Sequence, residues 1–104
     1  MSTTHVVTRE LVAPEELGLD TRAEFRRAAS TIVDQLPEGS GQLVLDLANT
    51  RRVDSAGLGA LMLVQRRAAE RRVTVRLRDV SDEVRFLLVL TKLDDLFILD
   101  GIAD

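Results

Sequence analysis

The sequence contains no cysteine, no tyrosine and no tryptophan, and it has three phenylalanines and one histidine. Without cysteine, disulfides, zinc ribbons and thiol nucleophiles are excluded. With so few aromatic rings there is almost nothing on which nucleic-acid bases could stack. The net charge of −3 also argues against a general affinity for nucleic acid, which requires a basic surface. We therefore expect no direct contact with nucleic acid.

Long hydrophobic segments and targeting signals are also missing. The longest apolar run, Ala56 to Val64, includes two glycines and is far shorter than the roughly 20 residues of a membrane span. The start "MSTTHVVTRE" lacks a basic region followed by an apolar one. We expect a cytoplasmic protein with no membrane insertion. The 104 residues, 45% hydrophobic and 30% charged, are interpreted as one domain, residues 1–104.

Apolar periodicity predicts strands and helices in alternation. Strands are predicted within 5–12, 42–47 and 73–77, helices from about 21, 55 and 82, and a short strand or turn at "DLFIL". The aliphatic run 42–47 is typical of a strand buried on both faces of a sheet. This alternation predicts an α/β fold with a mostly parallel central sheet, right-handed crossovers and helices packed against the sheet.

The spacing of capping residues and of apolar residues predicts where each helix begins and which of its residues face the core. Asp20 or Thr21 can cap the first helix, with Glu24 completing a capping box if Thr21 is the cap, and Ser81 opens a capping sequence before the third helix. The predicted inward residues are Phe25, Ala28, Ala29, Ile32, Val33 and Leu36 in the first helix, Leu58, Leu61, Met62, Gln65 and Ala68 or Ala69 in the second, and Val84, Leu87, Leu88 and Thr91 in the third.

The sequence offers little for catalysis. A serine hydrolase needs a base, and the single histidine is His5, near the terminus. Ser55 lacks a G-x-S-x-G context, and "GLGALML" lacks the lysine of a phosphate-binding loop and the third glycine of a dinucleotide site. The acidic residues are scattered. We expect no enzymatic activity, no cofactor and no metal.

The junction "VDSAGLGALML" stands out because an acid, a hydroxyl and two glycines precede an aliphatic run. A helix starting here would place Ser55 at the C-terminal edge of the sheet, where α/β proteins hold their sites. In one interpretation Ser55 is simply an N-cap worth about 1 kcal/mol. Asp54 would then complement the helix dipole, and Gly57 and Gly59 would permit tight packing. In the other, the same hydroxyl is exposed and accepts a phosphoryl group near the helix amides.

The segment "LVLDLANTRRVDSAGLGALML" resembles the core of the STAS domain of bacterial anti-sigma factor antagonists. The family pattern is an aliphatic strand with an internal acid, here Asp46, followed by a loop and D-[ST]-[SAT]-G-[LIVM]-[GA], here Asp54 to Gly59. The similarity extends through "VTVRLRDVSDEVRFLLVLTKLDDLFIL", so that the motif-bearing core covers residues 42–99. Asp20 lies two positions after Gly18, which occupies the place of a further acid in the family pattern.

The resemblance implies a switch. The serine matching Ser55 would be phosphorylated by an anti-sigma factor with a histidine-kinase-like ATPase fold, and a phosphatase would reset it. The unphosphorylated protein would bind that kinase and free the sigma factor, with the nucleotide held by the partner. The partner-binding residues implied are Asp54, Ala56, Gly57, Leu58, Gly59, Asp46 and Asp20. Arg51 and Arg52 either receive phosphate or are solvated loop charges. The alternative is a constitutive STAS subunit or scaffold of a phospholipid-transport ATPase or other signalling assembly.

Overall fold

The computed structural model describes residues 5–100. Its strands are β1 (Val7–Val12), β2 (Glu16–Leu17), β3 (Gly41–Asp46), β4 (Arg52–Val53), β5 (Thr74–Arg78) and β6 (Ile98–Asp100). Its helices are α1 (Arg22–Gln35), α2 (Ser55–Glu70) and α3 (Asp82–Leu90), with a short 3₁₀ turn at Asp94–Leu96. Apart from β2 and β4, these elements follow the predicted alternation.

The central sheet has the order β1-β3-β5-β6, and every pairing in it is parallel. Because each connection advances in the same direction across the sheet, right-handed crossovers place α1, α2 and α3 on the same face. Helices α1 and α2 pack against each other there. The predicted fold class, a mostly parallel sheet with helices packed against it, is confirmed.

The two faces of the sheet differ, because successive side chains alternate. Leu43, Leu45 and Leu77 are fully buried in the core that the helices cover. The opposite face carries cross-strand polar contacts, including that of Arg76 Nε with Gln42 Oε1 at 2.7 Å. Only Val44 of β3 is buried on that face, at 7% exposure. The prediction of burial on both faces therefore holds for Val44, whereas Gln42 and Asp46 on the same face are only partly buried.

Most predicted inward helix residues are buried or partly buried, with clear exceptions. Met62 is 37% exposed, because the buried stripe of α2 runs instead through Gly57, Ala60, Leu61, Val64 and Ala68. Thr91 is exposed and ends α3, where its hydroxyl donates to the carbonyl of Leu87 at 2.7 Å. Ala69 is exposed while Ala68 is buried.

Of the predicted N-caps, that of α3 is confirmed and the capping box of α1 is not. Ser81 is confirmed as an N-cap, since its Oγ accepts from the Val84 amide at 3.2 Å. Thr21 precedes α1 but makes no side-chain cap bond. Its hydroxyl donates to the Glu16 carbonyl at 2.7 Å and accepts from the Gly18 amide at 3.0 Å. The capping box with Glu24 is therefore wrong, because Thr21 is used to close the loop before the helix.

Candidate partner-binding site

Two segments that the sequence shows as irregular loops pair with each other in front of α1 and α2. Strands β2 and β4 form a two-stranded parallel sheet, in which Glu16 pairs with Arg52 and Leu17 with Val53. The buried hydroxyl of Thr50 donates to the carbonyl of Pro14 at 2.8 Å. Because α2 begins two residues after β4 and α1 begins five residues after β2, the pairing of these strands holds both helix starts near each other.

Asp54 is the N-cap of α2, so the interpretation of Ser55 as the cap is wrong. One carboxylate oxygen of Asp54 accepts from the Gly57 amide at 2.9 Å, and the other accepts from the Leu19 amide at 3.2 Å. The hydrogen bond from Gly57, helped by that from Leu19 and by the Arg22 charge, lowers the pKa of Asp54. Asp54 thus links the loop before α1 to the start of α2.

Ser55 is the first residue of α2 and its side chain is exposed. It opens onto a depression of about 390 Å³ between α1 and α2, which we call the Ser55 cleft. The residues lining the Ser55 cleft are Arg22, Ala23, Arg26, Ser55, Ala56, Gly59, Ala60 and Leu63. The cleft therefore combines a reachable hydroxyl with small side chains, one leucine that is 40% exposed, and two arginines.

The two glycines of the motif have different roles. A Cβ at Gly57 would lie 2.0 Å from the carbonyl oxygen of Leu17, so the close approach of α2 to β2 requires glycine there. A Cβ at Gly59 would meet nothing within 4 Å, because this position faces the open cleft. The packing interpretation thus holds for Gly57 and not for Gly59. Leu58 is partly buried and packs against the core.

A second depression, of about 260 Å³, is lined by Asp54, and we call it the Asp20 cleft. Its lining residues are Glu16, Leu17, Gly18, Leu19, Asp20, Thr21, Arg52 and Asp54. Asp20 is thus brought together with Asp54, whereas Ser55 lines the other cleft. A Cβ at Gly18 would lie 2.4 Å from a carboxylate oxygen of Asp54, so glycine at this position leaves room for the Asp54 bond to Leu19.

Asp46 lines neither cleft. It ends β3, and its carboxylate accepts from the Ala48 amide at 2.9 Å and from Arg78 at 3.2 Å. The Ala48 hydrogen bond, reinforced by Arg78, lowers the pKa of Asp46. Asp46 therefore acts as a hydrogen-bond acceptor in the loop after β3, and its implied contact with a partner stays a prediction.

Arg22 and Arg26 line the Ser55 cleft, whereas the sequence pattern draws attention to Arg51 and Arg52. Arg51 extends toward Glu15 at 3.7 Å, and Arg52 toward Glu16 at 3.9 Å, both largely in solvent. Neither lines the Ser55 cleft. The signal that was available is the spacing of four residues between Arg22 and Arg26, which places both on one face of α1. That this face borders Ser55 depends on how α1 and α2 pack.

The described part of the chain restricts the chemistry of this region. Residues 5–100 contain no group of three or more acidic or histidine side chains placed to hold a metal ion. Among the helices in the same range, none is both long enough and apolar enough to cross a bilayer. The two clefts hold a hydroxyl, carboxylates and guanidinium groups, which suit recognition of another protein and acceptance of a phosphoryl group.

The sequence matches the family model described as "Mlab, STAS domain" over residues 5–100. The chain therefore belongs to the STAS domain family, as its motif predicts. No curated protein matches the sequence.

Solved structures show the same fold in regulators and in a transporter. An anti-sigma-factor antagonist (STAS) domain protein from Planctomyces limnophilus superposes with a TM-score of 0.78 at 14% identity, covering 90% of this chain and 82% of the other. The Bacillus cell fate determinant SpoIIAA in its phosphorylated form gives 0.62 at 20% identity, covering 98% and 87%. The murine anion transporter Slc26a9 gives 0.78 at 16% identity, covering 93% of this chain and 17% of the transporter.

Proposed function

We propose that this protein is an anti-sigma factor antagonist, a protein-binding module switched by phosphorylation of Ser55. In its unphosphorylated form it binds a kinase-type anti-sigma factor and frees the sigma factor. The kinase supplies the nucleotide, and a phosphatase restores the serine. The observation that carries the proposal is the exposed Ser55 hydroxyl at the first position of α2, beside a cleft that several small residues line.

The surface around Ser55 suits a protein partner. Ala23, Ala56 and Gly59 leave room for a partner to approach the backbone closely, and Leu63 offers exposed apolar area. Asp54 and Asp20 add negative charge on the adjacent side. A phosphoryl group on Ser55 would bring about −1.5 to −2 further charges to this surface at neutral pH. A loss of about 3 kcal/mol in binding free energy weakens an interaction more than a hundredfold, enough for a switch.

The transfer requires little from this chain beyond an accessible hydroxyl. Ser55 Oγ forms a bond to the γ-phosphorus of ATP held by the kinase, the bond to the β,γ-bridging oxygen breaks, and ADP leaves. The hydroxyl proton passes to a base. The nearest carboxylate in sequence, Asp54, already accepts from the amides of Gly57 and Leu19. We assign the base to the partner.

The test uses the kinase-type anti-sigma factor recovered with the protein from its own cells. Incubation with that kinase and ATP should add one phosphate to the wild type and to Ser40→Ala, and none to Ser55→Ala, as read by intact mass. The phosphorylated protein should bind the kinase more than about a hundredfold more weakly. If the kinase forms the complex and turns over ATP but leaves Ser55 unmodified, the switch is disproved.

A second candidate is a constitutive STAS subunit or scaffold of a transport or signalling assembly. The fold shared with part of the anion transporter Slc26a9 favours it. In that case Ser55→Ala and Ser55→Asp should bind the partner recovered in a pull-down with equal affinity. For the switched module, Ser55→Asp should bind clearly more weakly than Ser55→Ala. The two affinities, measured by titration calorimetry, separate the candidates.

A further inference from the structure

We propose that Arg22 and Arg26 bind the phosphoryl group of phosphorylated Ser55 within the same chain. This inference rests on the proposed phosphorylation of Ser55 and deepens it. The phosphate would then lie in the Ser55 cleft and cover the small residues on its floor. Phosphorylation would switch off binding by filling the docking surface, in addition to placing charge on it.

The two arginines are placed to meet a group on Ser55. Their spacing of four residues puts Arg22 and Arg26 on the same face of α1, and both line the Ser55 cleft. Ser55 lines the same cleft from the opposite side. Apart from Leu63 and the two arginines, the residues that line the cleft are small, so the guanidinium groups have room to reach a phosphate on Ser55.

Both arginines are free to take on this role. Within residues 5–100, neither Arg22 nor Arg26 forms an ion pair with a carboxylate. Six other arginines do form such pairs, namely Arg51, Arg52, Arg67, Arg72, Arg76 and Arg78. The positive charge of Arg22 is also felt at Asp54, directly before Ser55. Two cationic residues therefore line the same cleft as Ser55, and within residues 5–100 neither is held in an ion pair.

A phosphate on Ser55 supplies the missing partner. As a dianion it accepts hydrogen bonds from guanidinium groups in the paired geometry that arginine favours. It would also stand beside the carboxylate of Asp54, whose repulsion the two arginines offset. We therefore expect the phosphorylated protein to keep the fold of the unmodified protein, with the arginine side chains ordered over the cleft.

The experiment installs phosphoserine at position 55 of the full chain during synthesis, so that no kinase is needed. The phosphate is then titrated by ³¹P NMR. In the wild-type background its second pKa should be roughly one unit lower than in Arg22→Gln/Arg26→Gln, because nearby cations favour the dianion. Arg27→Gln removes the same charge from α1 at a position outside the cleft lining, and it should titrate like the wild type.

A second NMR measurement does not depend on the double variant. The side-chain Nε–H signals of Arg22 and Arg26 should shift between the serine and phosphoserine forms, while that of Arg27 should not. Identical phosphate titration in wild type and double variant, or unmoved Arg22 and Arg26 signals, would overturn the proposal. Because phosphoserine is installed chemically, such a result leaves the kinase experiment unaffected. A kinase that fails to modify Ser55 would in turn refute the proposed function alone.

Discussion

At the scale of single residues, the neighbours Asp54 and Ser55 have different roles. Asp54 makes the structural contacts, since its two carboxylate oxygens bind the amides of Gly57 and Leu19 and so join the two helix starts. Ser55 makes no side-chain hydrogen bond within the described residues and stays exposed. An acid followed by a hydroxyl therefore provides a fixed helix start and a free hydroxyl on it.

This division predicts opposite sensitivities to mutation. Asp54→Ala removes both hydrogen bonds of the carboxylate, one of which is the helix cap, so its melting temperature should fall by about 5 °C. Asp54→Asn keeps one acceptor oxygen and should lose less. Ser55→Ala is an exposed change away from such contacts and should alter the free energy of unfolding by less than about 0.5 kcal/mol. Thermal unfolding followed by circular dichroism measures all three. A marked loss for Ser55→Ala would show that the hydroxyl has a structural role.

At the scale of elements, the start of α2 is held by its close contact with β2. Gly57 lies against the carbonyl of Leu17, and the Asp54 amide donates to that same carbonyl at 3.2 Å. The backbone of β2 and the backbone at the start of α2, which are distant in sequence, thus approach each other without an intervening side chain. Gly59, two residues further on, contacts nothing that a Cβ would disturb.

The two glycines therefore give a matched pair of substitutions within one helix. Gly57→Ala forces its Cβ against backbone that has little freedom to move, and it should cost at least about 2 kcal/mol. Gly59→Ala gains helix propensity without a clash and should stabilise the protein by about 0.5–1 kcal/mol. Urea unfolding gives both values. Equal effects at the two positions would contradict the difference in packing.

Much of this architecture could be predicted from the sequence, because it depends on local patterns. Aliphatic runs and periodic helices indicated the main strands and helices, and Ser81 marked the start of α3. The pairing of β2 with β4 could not be predicted, since each contributes two residues without apolar periodicity. The cap at Asp54 and the position of Arg22 also depend on contacts between distant segments. The exposure of Ser55 was inferred correctly, although its assignment as the cap was wrong.

At the scale of the whole molecule, charged side chains cluster at particular places. The helix-covered face of the sheet is apolar, while the open face carries Arg76 paired with Asp100 and Arg78 paired with Asp46. The C-terminal edge of the sheet holds the ends of β1 and β3 and the starts of α1 and α2. The two acids with lowered pKa values, Asp46 and Asp54, both lie near this edge. Protonation of these two carboxylates at low pH should therefore weaken contacts in the same region that is proposed to bind the partner.

The sign of this pH dependence follows from the direction of the shifts. Because the folded protein holds the pKa of Asp46 and of Asp54 below the value of about 3.9 in an unfolded chain, both carboxylates stabilise the fold above that pH. Their contribution should be constant between about pH 7 and pH 5 and should be lost as the pH falls through the lowered values. The melting temperature of wild type should therefore exceed that of Asp46→Asn/Asp54→Asn by a fixed amount at neutral pH, and the gap should narrow below about pH 4. A gap that stayed constant down to about pH 2 would show that the two carboxylates act only as hydrogen-bond acceptors, without a contribution from their charge.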